Sequence, residues 1–139
     1  MLKSYKYRIF PNDFQQTQLD NIFGQVRFVY NLGLETKISA YSGSKNNLNC
    51  FDLINQIVEL KNTTCYWLKE SPSQALQASL RNLDNAYTKF FKGAGFPKYK
   101  SKHGKQSFSL PQGVHFSEDK KQIFIPKLKW VDFDLHREL

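Results

Sequence analysis

Gln74, Gln77 and Arg81 follow one another at steps of three and four residues within S-P-S-Q-A-L-Q-A-S-L-R. That spacing puts all three on one face of a helix. Glutamine offers a paired donor and acceptor and arginine a fork of donors, so each can make two hydrogen bonds at once to the edge of adenine or guanine. Plain solvent exposure would also produce such a face, and the residues that follow bear on the choice. From Asn85 to Ser117 there is no Asp or Glu, whereas Lys89, Lys92, Lys98, Lys100, Lys102 and Lys105 all occur, with Phe96, Tyr99 and Phe108 set among them. A run of one sign with rings interleaved suits a phosphate backbone carrying stackable bases. The bland alternative is a solvated loop whose lysines only confer solubility.

Other chemistry is poorly supplied. Asp132 and Asp134 stand two apart on an expected strand, with Glu138 nearby, and paired carboxylates can hold a divalent metal. One strand provides too few ligands, and the pair reads as a solvated strand face. His103, His115 and His136 are scattered without metal-ligand spacing, and Ser107 and Ser109 lie in no nucleophile motif. Cys50 and Cys65 are the only cysteines and form no C-x-x-C, so neither a disulfide framework nor a cysteine-rich zinc site is indicated. The sequence calls for no cofactor and no metal, and offers no catalytic set.

The helix that carries the glutamines is strongly signalled. Ser71 and Gln74 form an S-x-x-Q capping box with Pro72 in the first turn, which predicts a start at Ser71. Leu76, Leu80, Leu83, Tyr87 and Phe90 recur as an apolar stripe, Gly93 and Gly95 end the run, and the helix should be about 30 Å long, a central strut. Upstream, Tyr5, Tyr7 and Ile9 alternate with Lys6 and Arg8 up to Pro11, the period of a half-buried strand. Asn12 and Gln15 make a second capping box, and Leu19, Ile22, Phe23, Val26, Val29 and Tyr30 carry a helix to about Tyr41, with Gly24 and Gly33 as candidate bends. After a polar loop of seven or eight residues, Phe51, Leu53, Ile54, Ile57, Val58 and Leu60 predict a shorter helix, and Tyr66-Trp67-Leu68 an apolar plug. Beyond Gly95, S-F-S-L-P, V-H-F-S, Q-I-F-I-P and W-V-D-F-D-L read as short strands. A lone N-terminal strand needs a partner, so the C-terminal strands should return to residues 2–10. The expected class is α+β: a small split sheet or partial barrel with a helical block inserted in it.

With 139 residues, 40% of them hydrophobic, the chain can bury one core, or one core plus a small subdomain. No segment approaches a membrane span and the N-terminus lacks a secretory apolar region, so an intracellular, cytoplasmic and nucleoid-associated protein is expected. A net charge of +8 favours an anionic partner.

Four stretches are familiar together: K-Y-R-I-F-P-N-D-F-Q, V-R-F-V-Y-N-L-G-L-E-T-K-I-S-A-Y, the run from Ser71 to Phe108, and I-F-I-P-K-L-K-W-V-D-F-D-L-H-R-E-L. They closely resemble the N-terminal region of the TnpB (OrfB) proteins of insertion sequences, over essentially all 139 residues. The R-F-V-Y-N and P-S-Q-A-L-Q strings at their mutual spacing are specific to that family. Its members are classed as transposases with an N-terminal helix-turn-helix, and are better described as RNA-guided DNA nucleases related to type V CRISPR effectors. The resemblance implies a split barrel called the wedge domain, interrupted by a helical recognition lobe. Residues 1–11 would be the first wedge strand, 12–95 the lobe, and 96–139 a basic loop and the remaining wedge strands. In the family these parts grip the guide RNA scaffold and the target DNA beside a short transposon-associated motif. The helix at P-S-Q-A-L-Q faces that motif, which makes Ser73, Gln74 and Gln77 candidate base readers. The full candidate nucleic-acid-binding set is Lys6, Arg8, Arg27, Ser73, Gln74, Gln77, Arg81, Lys92, Lys98, Tyr99, Lys100, Lys102 and Lys105.

Three departures from the family pattern qualify the resemblance. The family's RuvC-like nuclease domain would lie beyond Leu139, so no nuclease activity is expected of this chain, and the wedge barrel would be incomplete, left open or completed by self-association. Lys129 stands where a glycine before the tryptophan is common. The expected loop after Tyr41 is longer than a helix-turn-helix turn. DNA and a transposon-derived guide RNA are the expected partners, with no membrane. The rival readings are a stand-alone DNA-binding regulator of a mobile element, a recognition subunit for a separate nuclease chain, and a decayed product.

Overall fold

The computed structural model describes residues 8–44, 48–102, 108, 110, 114–119 and 121–134, with Arg8, Ser44 and Asp134 described by their backbone alone. Lys6, His103, Lys105, Ser107, Ser109, His136 and Glu138 lie outside the described residues. The elements in order are β1 (Arg8–Phe10), α1 (Asp13–Ser44), α2 (Cys50–Lys61), a short 3-10 helix (Tyr66–Glu70), α3 (Ser73–Phe91), β2 (His115–Phe116), β3 (Gln122–Ile125) and β4 (Lys129–Asp134). The chain divides into two compact units, residues 1–20 with 111–139, and residues 21–110.

In the first unit, Pro11 breaks β1 and Asn12 starts α1. The Asn12 amide donates to Gln15 Oε1 at 3.0 Å and the Gln15 amide to Asn12 Oδ1 at 2.8 Å, closing the expected capping box. Gln15 Nε2 also donates to the Trp130 carbonyl at 2.8 Å, tying the helix start to β4. The strands form one antiparallel sheet in the order β1-β4-β3-β2. Ile9 pairs with Phe133 and Phe10 with Asp132, so the C-terminal strand does return to the first, and the helices interrupt a single sheet. Ile123, Ile125, Val131 and Phe133 alternate inward, while Gln122, Trp130 and Asp132 are exposed. The turn between β2 and β3 is held by Asp119, whose Oδ1 accepts from the Ser117 hydroxyl at 2.6 Å and the Lys121 amide at 3.0 Å. Those two bonds keep its carboxyl below the usual carboxylate range. The S-F-S-L-P strand is a correction: Phe108 and Leu110, its described residues, belong to no strand. Phe108 instead sets its ring against Phe23 of α1, 5.3 Å between centroids.

The second unit is helical. Its core is the matching stripes of α1 (Ile22, Val26, Val29, Tyr30, Leu34), α2 (Leu53, Ile57) and α3 (Ala75, Leu76, Leu80, Leu83), with Leu68 of the 3-10 turn. Gly24 and Gly33 do not interrupt α1, which is continuous from Asp13 to Ser44. Gly33 has a packing role. A Cβ there would lie 2.8 Å from Leu80 Cδ2 and 3.0 Å from Leu83 Cδ2, so the absent side chain is what admits the two leucines. Ser79, buried on α3, donates to the Val26 carbonyl at 3.1 Å across the same contact.

Two further expectations need correction. The helix start is Ser73, with Pro72 as N-cap making no side-chain cap bond. Ser71 is buried and its hydroxyl donates to Gln25 Oε1, a buried partner that satisfies it better than an exposed helix end would. The connection between α1 and α2 is residues 45–49, shorter than expected, because α1 continues to Ser44 and Asn49 caps α2 through a box with Asp52 (2.9 and 3.0 Å). The shorter helix is present as expected, with Leu53 and Ile57 buried and Phe51 and Val58 exposed. The plug is divided likewise: Leu68 is wholly buried, Trp67 meets Phe28 edge-on at 5.0 Å, and Tyr66 points out.

Candidate nucleic-acid interface

α3 buries one side and leaves a continuous polar stripe on the other. Gln74, Gln77, Arg81, Asn85, Thr88 and Lys92 recur at steps of three and four along its outer side, and none is buried. Ser73 is exposed at the first turn. The only acid of α3 is Asp84, half-buried, three residues after Arg81 and four before Thr88 and so on the same side of the helix. A helix of 19 residues carries this stripe for about 28 Å, and the leucines behind it fix its orientation. The structure therefore brings Gln74, Gln77 and Arg81 to one face, as their spacing predicts.

After Gly93, whose φ of 108° turns the chain, the basic segment runs back over the helices. Phe96 packs edge-on against Tyr87 at 5.6 Å and Phe90 at 5.1 Å, and Pro97 is buried. Lys100 is held at both ends of its peptide unit. Asn31 Nδ2 donates to its carbonyl at 2.9 Å, and its amide donates to Asn31 Oδ1 at 2.7 Å. Its ammonium lies 4.6 Å from the Tyr30 ring centroid. Lys98, Tyr99 and Lys102 are exposed. Of the remaining candidates, Arg27 is half-buried on α1, Arg8 is seen as the first residue of β1, and Lys6 and Lys105 lie outside the described residues.

Sequence reasoning missed Lys37. It is buried, its ammonium donates to the Leu48 carbonyl and sits 4.7 Å from the Tyr87 ring centroid. Burial, then the neighbouring Tyr99 and Tyr30 hydroxyls, push the Tyr87 phenol above its ordinary range. Tyr30 and Tyr87 with the Lys37 and Lys100 ammonium groups thus form a cluster of rings and charges where the basic segment meets the helices, with the exposed Tyr99 at its edge. The only hint in the sequence was a lysine at a helical step from Leu34, inside an apolar stripe. Asn31 was likewise visible only as part of the R-F-V-Y-N string.

Among the described residues no three His, Cys, Asp or Glu side chains cluster as a metal site requires. Asp132 is exposed and accepts from Gln122 Nε2 at 3.0 Å, and the exposed His115 ring lies 6.1 Å from Phe124.

Residues 1–46 match a family model described as the helix-turn-helix domain of OrfB of IS605. The described part of those residues is β1 followed by the unbroken helix α1. The chain is 34% identical over 140 residues to "Putative RNA-guided DNA endonuclease InsQ" of Escherichia coli (strain K12), covering 99% of this chain and 35% of that protein. It is 36% identical over 102 residues to "Putative RNA-guided DNA endonuclease" of Streptomyces pristinaespiralis, covering 72% of this chain and 25% of the relative. Over 116 residues it is 36% identical to "Virulence protein VsdF" of Salmonella dublin, covering 76% of this chain and 98% of that protein. The chain therefore spans about a third and a quarter of the first two relatives and nearly the whole of the third.

Proposed function

The chain belongs to the OrfB (TnpB) family, and from that premise we propose that it binds nucleic acid, α3 reading a short duplex motif while the basic segment holds phosphate. The observation that carries this reading is the polar stripe of α3, with Asp84 its one acid, leading into an acid-free lysine segment fastened over the same helical unit. Gln77 and Arg81 stand free of the core and have the donor and acceptor patterns that meet base edges in a major groove. Lys98, Lys100 and Lys102 supply charge that is indifferent to sequence. On this reading the sheet unit is the wedge, the helical unit the recognition lobe, and a transposon-derived guide RNA the second ligand. The role of these residues is recognition, with bond cleavage left to chemistry they do not supply.

The test is to crosslink the protein in its host, recover it and sequence what it carries. An abundant structured RNA from a transposon end together with DNA beside a short recurrent motif is the expected result. Double-stranded DNA alone would favour a regulator acting without RNA, and no enrichment of either nucleic acid would contradict the proposal.

A further inference from the structure

Residue 100 is fastened more firmly than exposed backbone outside regular structure usually is. The Asn31 side-chain amide meets both the N–H and the C=O of Lys100, at 2.7 and 2.9 Å, as a neighbouring strand would. Tyr30, the preceding residue and itself buried, takes the Lys100 ammonium on its ring face at 4.6 Å. Two consecutive residues of α1 thus hold the backbone and the side chain of a residue 69 positions away. Four residues earlier, Phe96 makes a second anchor, edge-on against Tyr87 and Phe90, and Pro97 next to it is buried. Between the anchors lie Lys98 and Tyr99, both exposed, Tyr99 by 55%. They form a short arch carrying one positive charge and one ring, pinned at both feet.

We propose that Asn31 is a positioning residue for nucleic-acid binding: it latches the basic segment so that Lys98 and Tyr99 are presented to a phosphate and its base in a preformed arrangement. This rests on the nucleic-acid reading above. A lysine on a loose strand must be ordered when it binds, whereas the latched segment has already met that cost in folding. Asn31 carries no charge, so releasing the latch leaves the number of phosphates neutralised unchanged and alters only how ready the lysines are.

Asn31→Ala in the full chain separates these effects, with Asn31→Leu as a near-isosteric, equally uncharged second variant that loses both hydrogen bonds and should behave alike. In the free protein, hydrogen exchange at the Lys100 amide should rise by about tenfold or more in Asn31→Ala as its one fixed partner goes. Affinity for a random-sequence DNA duplex, followed by fluorescence anisotropy at several salt concentrations, should fall by roughly three- to tenfold. The slope of log K against log salt should stay that of the unaltered protein. Lys98→Gln should instead lower the slope, by up to about 0.9. Unchanged exchange at Lys100 would show that no latch exists, and faster exchange with unchanged affinity would make Asn31 merely structural. A slope that falls with Asn31→Ala would replace preformed presentation by the removal of an ion pair with phosphate. If the unaltered chain binds the duplex with no salt dependence, the nucleic-acid reading itself fails, whatever the exchange rates show.

Discussion

Lys127 and Lys129 have φ angles of 75° and 69°, in the left-handed region that costs a side-chain-bearing residue about 1–2 kcal/mol. Lys129 opens β4 next to Trp130, where a glycine is the expected family residue, and the backbone supplies the reason: glycine takes that φ without steric cost. Lys129→Gly should therefore leave stability unchanged or raise it by up to about 1 kcal/mol, the gain being offset in part by the freer unfolded chain. Lys129→Val should lower it, because a β-branched residue suits that conformation least. Urea denaturation of the two variants checks the pair; equal losses from both would mean that the β3–β4 turn does not depend on this angle. The departure at Lys129 was legible in the sequence. Its cause, a backbone angle, was not.

At the scale of elements, the packing of α1 on α3 positions the candidate interface. Leu83 is fully buried, so Leu83→Ala should cost about 2–5 kcal/mol. Gly33→Val should cost about 1–3 kcal/mol, since branched carbons would be forced against Leu80 and Leu83. Thermal melts followed by circular dichroism measure both, and an unchanged Leu83→Ala melting temperature would put the core stripe on the wrong face. The stripes of α1 and α3, the Asn12 cap and the pairing of β4 with β1 were readable from periodicity, because each is a local pattern or its direct consequence. The helix start at Ser73 was not. The S-x-x-Q string signals a cap only while Ser71 faces solvent, and here Gln25, 46 residues away, takes its hydroxyl into the core. The same limit hid Lys37 and Asn31, whose partners Leu48, Tyr87 and Lys100 come from distant parts of the chain. The candidate site was legible as a set of residue types on one helix and one loop; how that loop is fastened was not.

Across the whole molecule, a net charge of +8 is concentrated in effect by the acid-free stretch from Asn85 to Ser117, which includes the latched segment of the helical unit. Among the described residues no helix is long and apolar enough to cross a membrane, and the charge instead suits a polyanion. The helices lie in sequence between the first strand and the other three of one sheet, and on the proposed reading the α3 stripe and the lysine segment divide recognition into reading and holding. Those roles predict opposite signatures. Changing Lys98, Lys100, Lys102 and Lys105 together to Gln should weaken binding to every duplex and flatten the salt dependence by up to about 0.9 for each phosphate no longer neutralised, with sequence preference kept. Lys100 should give the smallest share, because its ammonium is already engaged on Tyr30.

The most direct test is the titration of Gln77→Ala beside the unaltered protein, on the preferred motif and on scrambled duplex, at several salt concentrations and with the guide RNA recovered from the host present. A base-edge hydrogen bond predicts a loss of about 1–3 kcal/mol on the motif, little change on the scrambled duplex and an unaltered salt slope. Equal weakening on both duplexes, or no weakening on either, would contradict the claim that α3 reads sequence.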